Sequence, residues 1–322
     1  MTGHPLSRRD LSRRGALAAV AGLAAVPLVG CDADTSPAPG RKAPPGGTPA
    51  SGPAATASGP AAGATGSAFT ALERRFGAVL GVYAIDTGSG RTVAHRPDER
   101  FAYASTCKAL IAGAVLKRNT LRQMERRIVF GPEVIEPHSP ITEPRVGKGM
   151  SLRELCDATV RYSDNAAANI LFDELGGPAG LQRALRAIGD RVTRCDRYET
   201  ELSDAVPGDL RDTSTARALT ADLRAYALGN VLPADRRAVL VDWLKRNTTG
   251  DALIRAGAPA GWTVGDKTGS GGYGTRNDIG IAWPPGRAPI VLSVLSKKDV
   301  EDAKREDALI AEAAEVALGA FV

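Results

Sequence analysis

The chain has 322 residues, 43% of them hydrophobic and 24% charged, enough apolar material for one large domain or two. Its formal net charge is +5, but Arg8, Arg9, Arg13 and Arg14 against Asp10 place +3 of that in the first thirty residues, leaving +2 for the rest. So even a balance, without any basic run interleaved with aromatics, excludes a nucleic-acid-binding surface.

Residues 1–31 read as an export signal. The arginine pairs precede Gly15–Gly30, an uncharged stretch too short for a membrane span and suited to the apolar region of a signal peptide. Ser7-Arg8-Arg9-Asp10-Leu11 looks like a twin-arginine signal, and Leu28-Val29-Gly30-Cys31 resembles a bacterial lipobox, which would make Cys31 a lipidation site. Residues 32–68 read as a disordered tether: from Thr35 to Ala68 every residue is Pro, Gly, Ala, Ser or Thr except Arg41 and Lys42. As a flexible coil it would reach roughly 30–35 Å, enough to hold an enzyme clear of a membrane. The expected location is therefore the outer side of the cell membrane, on a lipid anchor, or secretion.

Residues 69–322 form the expected catalytic unit. Phe76–Asp86 is β-like, Thr87-Gly-Ser-Gly90 is a hairpin turn, and Arg91–His95 is the return strand. The middle, about 105–256, is mostly helical in its spacing. Trp262–Thr268, Asp278–Trp283 and Pro289–Ser296 read as strands, and Val300–Leu318 closes the chain with helical spacing. A lone hairpin is marginal in water, so the β segments at the two chain ends must share a sheet. The expected class is α+β: a part made of about 69–104 and 257–322, with an all-α part, about 105–256, inserted. A cleft between the two is a usual ligand site.

Three motifs carry chemistry. Ser105-Thr-Cys-Lys108 is the only S-x-x-K in the chain and stands where the sequence turns helical. That spacing is just under one turn, so the amine sits beside the hydroxyl. A serine hydroxyl is a poor nucleophile until a neighbour accepts its proton, and a desolvated lysine near another cation does so. Near a helix start, the Ser105 backbone N–H is also free to face an oxyanion. Ser163-Asp-Asn165 follows the amphipathic stretch Leu152–Tyr162, and Lys267-Thr-Gly269 follows the strand-like Trp262–Asp266. Each is weak alone, since serine is a common helix cap and a strand lysine is often only solvated. The histidines are His4, His95 and His138 alone, which excludes a His-x-His metal hydrolase and a Ser-His-Asp triad. The general base is a lysine or a carboxylate.

The ordered set resembles the class A serine β-lactamases from about Phe69 to Val322. A fourth segment sharpens the resemblance: Arg194–Leu202, then Pro207–Thr213, is similar to that family's Ω-shaped loop, with Glu199 in the place of the hydrolytic base. The resemblance implies a five-stranded antiparallel sheet flanked by helices, a monomer, and small β-lactam substrates with no metal or cofactor. It implies Ser105 as nucleophile, Lys108 as the group that takes or relays its proton, and Ser163 as proton donor to the departing ring nitrogen. Lys267 would face the substrate carboxylate and discourage Lys108 from holding a proton. The backbone N–H groups of Ser105 and Ser270 would form the oxyanion hole. Thr268, Gly269, Ser270 and Arg276 would form the carboxylate side of the substrate site, and Asn165 would bind the substrate's side-chain amide. Asp164 is expected to be structural, and Arg197 and Asp212 to pin the two ends of the loop.

Several departures stand out. Ser203 occupies the place of an asparagine that helps hold the hydrolytic water, Thr200 a place where some relatives have proline, and His138 a place that often carries an aromatic cleft wall. Many relatives pair a cysteine seven residues after the nucleophile with one near Cys156; here that place is Ala112, so Cys107, Cys156 and Cys195 are expected as buried free thiols. Two other functions share part of the pattern: a penicillin-binding D-Ala-D-Ala peptidase or transpeptidase with slow deacylation, and a non-catalytic lipoprotein that binds β-lactams or cell-wall fragments. Glu199 argues against the first.

Overall fold

The computed structural model describes residues 60–322; the export signal, Cys31 and the tether through residue 59 lie outside the described residues. The first helix, α1 (Pro60–Phe76), begins inside the stretch read as tether, which was expected to run to Ala68. Phe69 and Leu72 are buried against the C-terminal helix, and a helix nucleated there extends backward with one added hydrogen bond per residue, helped by Ala61, Ala62, Ala64 and Ala68.

Five strands make one antiparallel sheet: β1 (Val79–Asp86), β2 (Thr92–His95), β3 (Thr263–Ser270), β4 (Arg276–Trp283) and β5 (Ile290–Lys297), in the order β2-β1-β5-β4-β3. The two chain ends meet where β1 pairs with β5, from Val79 opposite Lys297 to Asp86 opposite Ile290. The expected strand at 76–86 therefore starts later, because Phe76 still belongs to α1.

The pleat of β5 divides the interior. Val291 and Leu295 point into one apolar cluster and Leu292 and Val294 into another, as the period of two requires. Outside the sheet, α1 and the last helix, α8 (Asp307–Gly319), bury Phe69, Leu309, Ile310, Ala313 and Leu318. Val300–Glu306, expected as helix, is instead turn and irregular chain ahead of α8. On the other face lie α2 (Cys107–Arg118), α3 (Leu152–Arg161), α4 (Asn165–Leu175), α5 (Pro178–Ala187), α6 (Ala216–Ala227) and α7 (Ala234–Lys245). Of these, α6 lies against the sheet, where Thr220 Oγ1 and Ser293 Oγ are 2.8 Å apart.

Local sequence sets the helix starts that matter. Ser151 and Glu154 close a reciprocal capping box on α3, satisfying two end donors at once. Asp164 caps α4 through the Ala167 N–H, and its other contacts go to Ile141 N, Thr142 N and Thr142 Oγ1. With Thr159 Oγ1 of α3 donating to its carbonyl at 3.2 Å, Asp164 joins α3, α4 and the Ile141–Thr142 segment.

Candidate active site

Ser105 sits in a helical turn, Ala104–Thr106, directly before α2. Ala104 holds a left-handed φ of 47°, a conformation a non-glycine residue keeps only when its surroundings enforce it. Asn277 on β4 supplies part of that restraint by donating to Ala102 O at 2.8 Å and Tyr103 O at 3.3 Å. Gly269 supplies the close approach: a Cβ there would lie 2.9 Å from Tyr103 O and 3.0 Å from Thr106 Cγ2. Only glycine lets β3 come this near the Ser105 turn and bring the Ser270 backbone alongside it.

Lys108 is fully buried on the first turn of α2. Its ammonium donates to Ser163 O at 2.7 Å, to Ser163 Oγ at 3.4 Å and to Asn165 Oδ1, and lies 2.9 Å from Glu199 Oε1. The spacing of the motif predicts direct contact with Ser105; the structure instead places a carboxylate between them. Ser105 Oγ donates to Glu199 Oε1 at 3.0 Å, so one oxygen serves both groups. The Glu199–Thr200 peptide is cis.

Ser163 lies between two ammonium groups, because Lys267 Nζ also donates to its Oγ at 3.1 Å. Lys267 is fully buried on β3, next to Asp266, which accepts from Arg255 Nε at 2.6 Å and Asn247 Nδ2 at 2.7 Å. Burial, and then the charge of Lys108, bring the Lys267 amine down to about 7. The lysine expected to depress its neighbour is thus itself depressed. Asn165 is a second adjustment: its Oδ1 holds Lys108 and its Nδ2 donates to Pro137 O at 2.7 Å, so its amide braces the lysine as well as lining the cleft.

The loop bearing Glu199 has little regular structure and is held by side chains. Arg197 Nε donates to Asp212 Oδ2 at 2.6 Å, and Asp212 Oδ1 accepts from the N–H groups of Asp196 and Arg197 and from the Tyr103 hydroxyl. Asn169 on α4 clamps Glu199 itself: its Oδ1 accepts from Glu199 N at 2.9 Å and its Nδ2 donates to Glu199 O at 2.8 Å. Ser203 Oγ donates to Glu199 Oε2 at 3.3 Å.

Ser105, Ser163, Asn165, Glu199 and Ser203 line a cleft of about 460 Å³ together with His138, Thr200, Thr268, Ser270 and Arg276, with Lys108 and Lys267 buried behind it. Thr268 Oγ1 is 2.7 Å from Thr249 Oγ1, and Arg276 reaches both Asp307 and Ser270 Oγ at 2.6 Å. His138 is exposed on the cleft wall with its Nε2 3.1 Å from Tyr162 O. Sequence reasoning missed Asn169, Thr249, Asn277 and Arg305. Asn169 alone left a local signal, one turn beyond Asn165 on the same helix; the others reach the site by tertiary contact. Among the described residues, no three His, Cys, Asp or Glu side chains are grouped to hold a metal ion. Cys107, Cys156 and Cys195 are free and buried, and burial raises the Cys107 thiol well above its ordinary range, so no thiolate competes with Ser105.

Residues 65–321 match the β-lactamase enzyme family. The chain belongs to that family. A β-lactamase of Bacillus amyloliquefaciens is 55% identical over 250 residues, 78% of this chain and 82% of that protein. β-Lactamase 1 of Streptomyces cacaoi is 50% identical over an alignment covering 94% of this chain and 96% of its own. A crystal structure of a class A β-lactamase from Clostridium kluyveri DSM 555 superposes with a TM-score of 0.79 at 49% identity, covering 80% of this chain and 98% of that one. This β-lactamase has the class A fold, and its reaction is hydrolysis of the β-lactam ring through a serine, a chemistry that confers antibiotic resistance.

Proposed function

We propose that this β-lactamase opens the amide of penicillins and cephalosporins by acylating Ser105 and releases the product with water activated by Glu199. The observation that carries the reading is the single carboxylate oxygen of Glu199 shared by Ser105 Oγ and Lys108 Nζ. Glu199 accepts the Ser105 proton as Oγ bonds to the lactam carbonyl carbon, with Lys108 holding that carboxylate in place. The oxyanion faces the backbone N–H groups of Ser105 and Ser270; losing one such donor typically costs about 100-fold or more in rate. The C–N bond breaks as Ser163 Oγ passes its proton to the ring nitrogen; Lys108, hydrogen-bonded to that oxygen, replaces it and then takes the proton held by Glu199, 2.9 Å away, which restores the carboxylate for the second half. In the second half Glu199 takes a proton from water, the water oxygen attacks the ester carbonyl, and the proton returns to Ser105 as the ring-opened acid leaves. Lys267, Thr268, Ser270 and Arg276 receive the substrate carboxylate.

Mixing the enzyme with a chromogenic cephalosporin tests this. Sustained turnover is expected. One stoichiometric burst would instead indicate a slowly deacylating penicillin-binding peptidase, and reversible binding without a mass shift a non-catalytic binder.

We further infer that the enzyme is exported and held at the membrane surface by a lipid on Cys31. The support is the uncharged Gly15–Gly30 followed by the lipobox-like Leu28–Cys31 and the Pro/Gly/Ala/Ser/Thr run. The Streptomyces cacaoi match, at 94% of the chain, also extends into this region. Fractionation of producing cells decides: Cys31→Ala should move activity from membrane to medium, and an unchanged distribution would remove the anchor.

A further inference from the structure

A cation at the mouth of the cleft has no part in the reaction as described. Arg305 lies between β5 and α8 on a segment folded over the β3–β4 turn. There Tyr273 N donates to Glu301 O at 3.1 Å, Lys298 N donates to Tyr273 O at 2.8 Å, and Lys298 pairs with Glu306 at 3.3 Å. Arg305 Nε donates to Gly271 O at 3.2 Å, and the side chain lines the same cleft as Ser105. Among the described residues that carbonyl is its only hydrogen-bond partner, and no carboxylate pairs with it. Arg276 differs: Asp307 and Ser270 already hold its guanidinium. The cleft therefore offers one cation partly neutralised by its own carboxylate and a second with its terminal amines unengaged.

Position decides which part of a substrate Arg305 meets. Gly271 lies beyond Ser270 along the chain, on the side away from Thr268. The ring carboxylate is assigned to Thr268, Ser270 and Arg276, so a group at Arg305 belongs to the part of the substrate that projects past Gly271. An arginine fork with free terminal amines is the geometry that receives a carboxylate in bidentate fashion. We propose that Arg305 forms a second anion subsite, which favours dianionic β-lactams carrying a carboxylate on the acylamino side chain. This rests on the hydrolytic reading above.

Benzylpenicillin and α-carboxybenzylpenicillin differ by one carboxylate and make the comparison clean. Steady-state kinetics would be measured for the unsubstituted enzyme, Arg305→Gln and Arg305→Lys, at low and high salt. The expected result is that Arg305→Gln raises KM for the dianion about two- to fivefold more than for the monoanion, the scale of one solvent-accessible charged contact. Arg305→Lys should recover most of that difference, and salt should shrink it in the unsubstituted enzyme. Equal changes for both substrates would show that Arg305 only builds the cleft wall, and no change for either would show that it meets neither; both overturn the subsite. Absence of benzylpenicillin turnover by the unsubstituted enzyme would overturn the hydrolytic reading, and the subsite with it.

Discussion

The corner that holds Ser105 and the loop that holds Glu199 are built by different means. Ser105, Lys108, Ser163 and Lys267 stand on or beside α2, α4 and β3, and their backbones are fixed by helix and sheet ladders and by close packing at Gly269. Glu199 stands on a stretch with no such ladder, held by the Asn169 clamp and the Arg197–Asp212 pair. The nucleophile is thus positioned by the fold and the hydrolytic base by a few side chains. In acylation Lys108, on the rigid corner, is a second acceptor for the Ser105 proton, whereas release has Glu199 alone, so loop substitutions should impair release of the product more than its formation.

The largest expected effect lies in the corner. Ser105→Ala should lower turnover by about 10⁴-fold or more and abolish any covalent adduct in intact-mass spectra, because Ser105 is the hydroxyl that donates to the carboxylate oxygen shared with Lys108. A persisting adduct would break the assignment of the corner.

Next comes the loop pin. Asp212 is fully buried and receives four hydrogen bonds, so Asp212→Ala leaves Arg197 without its buried partner and should cost about 3–5 kcal/mol of stability in denaturant unfolding. Single-turnover kinetics should show deacylation slowed more than acylation. Equal slowing of both would dissolve the distinction between corner and loop.

A smaller effect concerns pH. Lys267, depressed to about 7, loses its charge as pH rises through that value in the free enzyme, so kcat/KM for a carboxylate-bearing substrate should fall on the alkaline side of pH 7. Arg stays charged throughout, so Lys267→Arg, though slower, should lack this decline. If the decline survives unchanged, another group is responsible.

The smallest lies away from the cleft. Asp222 is buried on α6 with Oδ2 unpartnered, and burial, then the charge of Asp190, raises it well above the ordinary 3.8. A raised carboxyl contributes stability that is present below the unfolded value and is lost as pH rises toward the folded one. Asp222→Asn should therefore flatten the fall in Tm above pH 3.8, and a parallel curve for the variant would contradict the assignment.

What could be read in advance follows the same division. The nucleophile and both lysines stand in local motifs whose order along the chain narrows the chemistry, whereas Glu199, Asp164 and the Arg197–Asp212 pair are placed by resemblance alone. What escaped reading depends on where elements cross. Nothing local in Ser105–Lys108 says that Glu199 will lie between the two side chains, and nothing in Arg305 says that its segment will fold over Gly271. The early start of α1 escaped for another reason: its composition is that of a linker, and only the burial of Phe69 and Leu72 at its far end makes it a helix.

The central claim is that one carboxylate frees the acyl group from Ser105. Its most direct test is time-resolved intact-mass measurement of Glu199→Ala mixed with benzylpenicillin. The expected result is an adduct on Ser105 that forms, though more slowly, and then persists, with turnover reduced by about 10²–10⁴-fold. Rapid return of the variant to its unmodified mass, with turnover intact, would contradict the account.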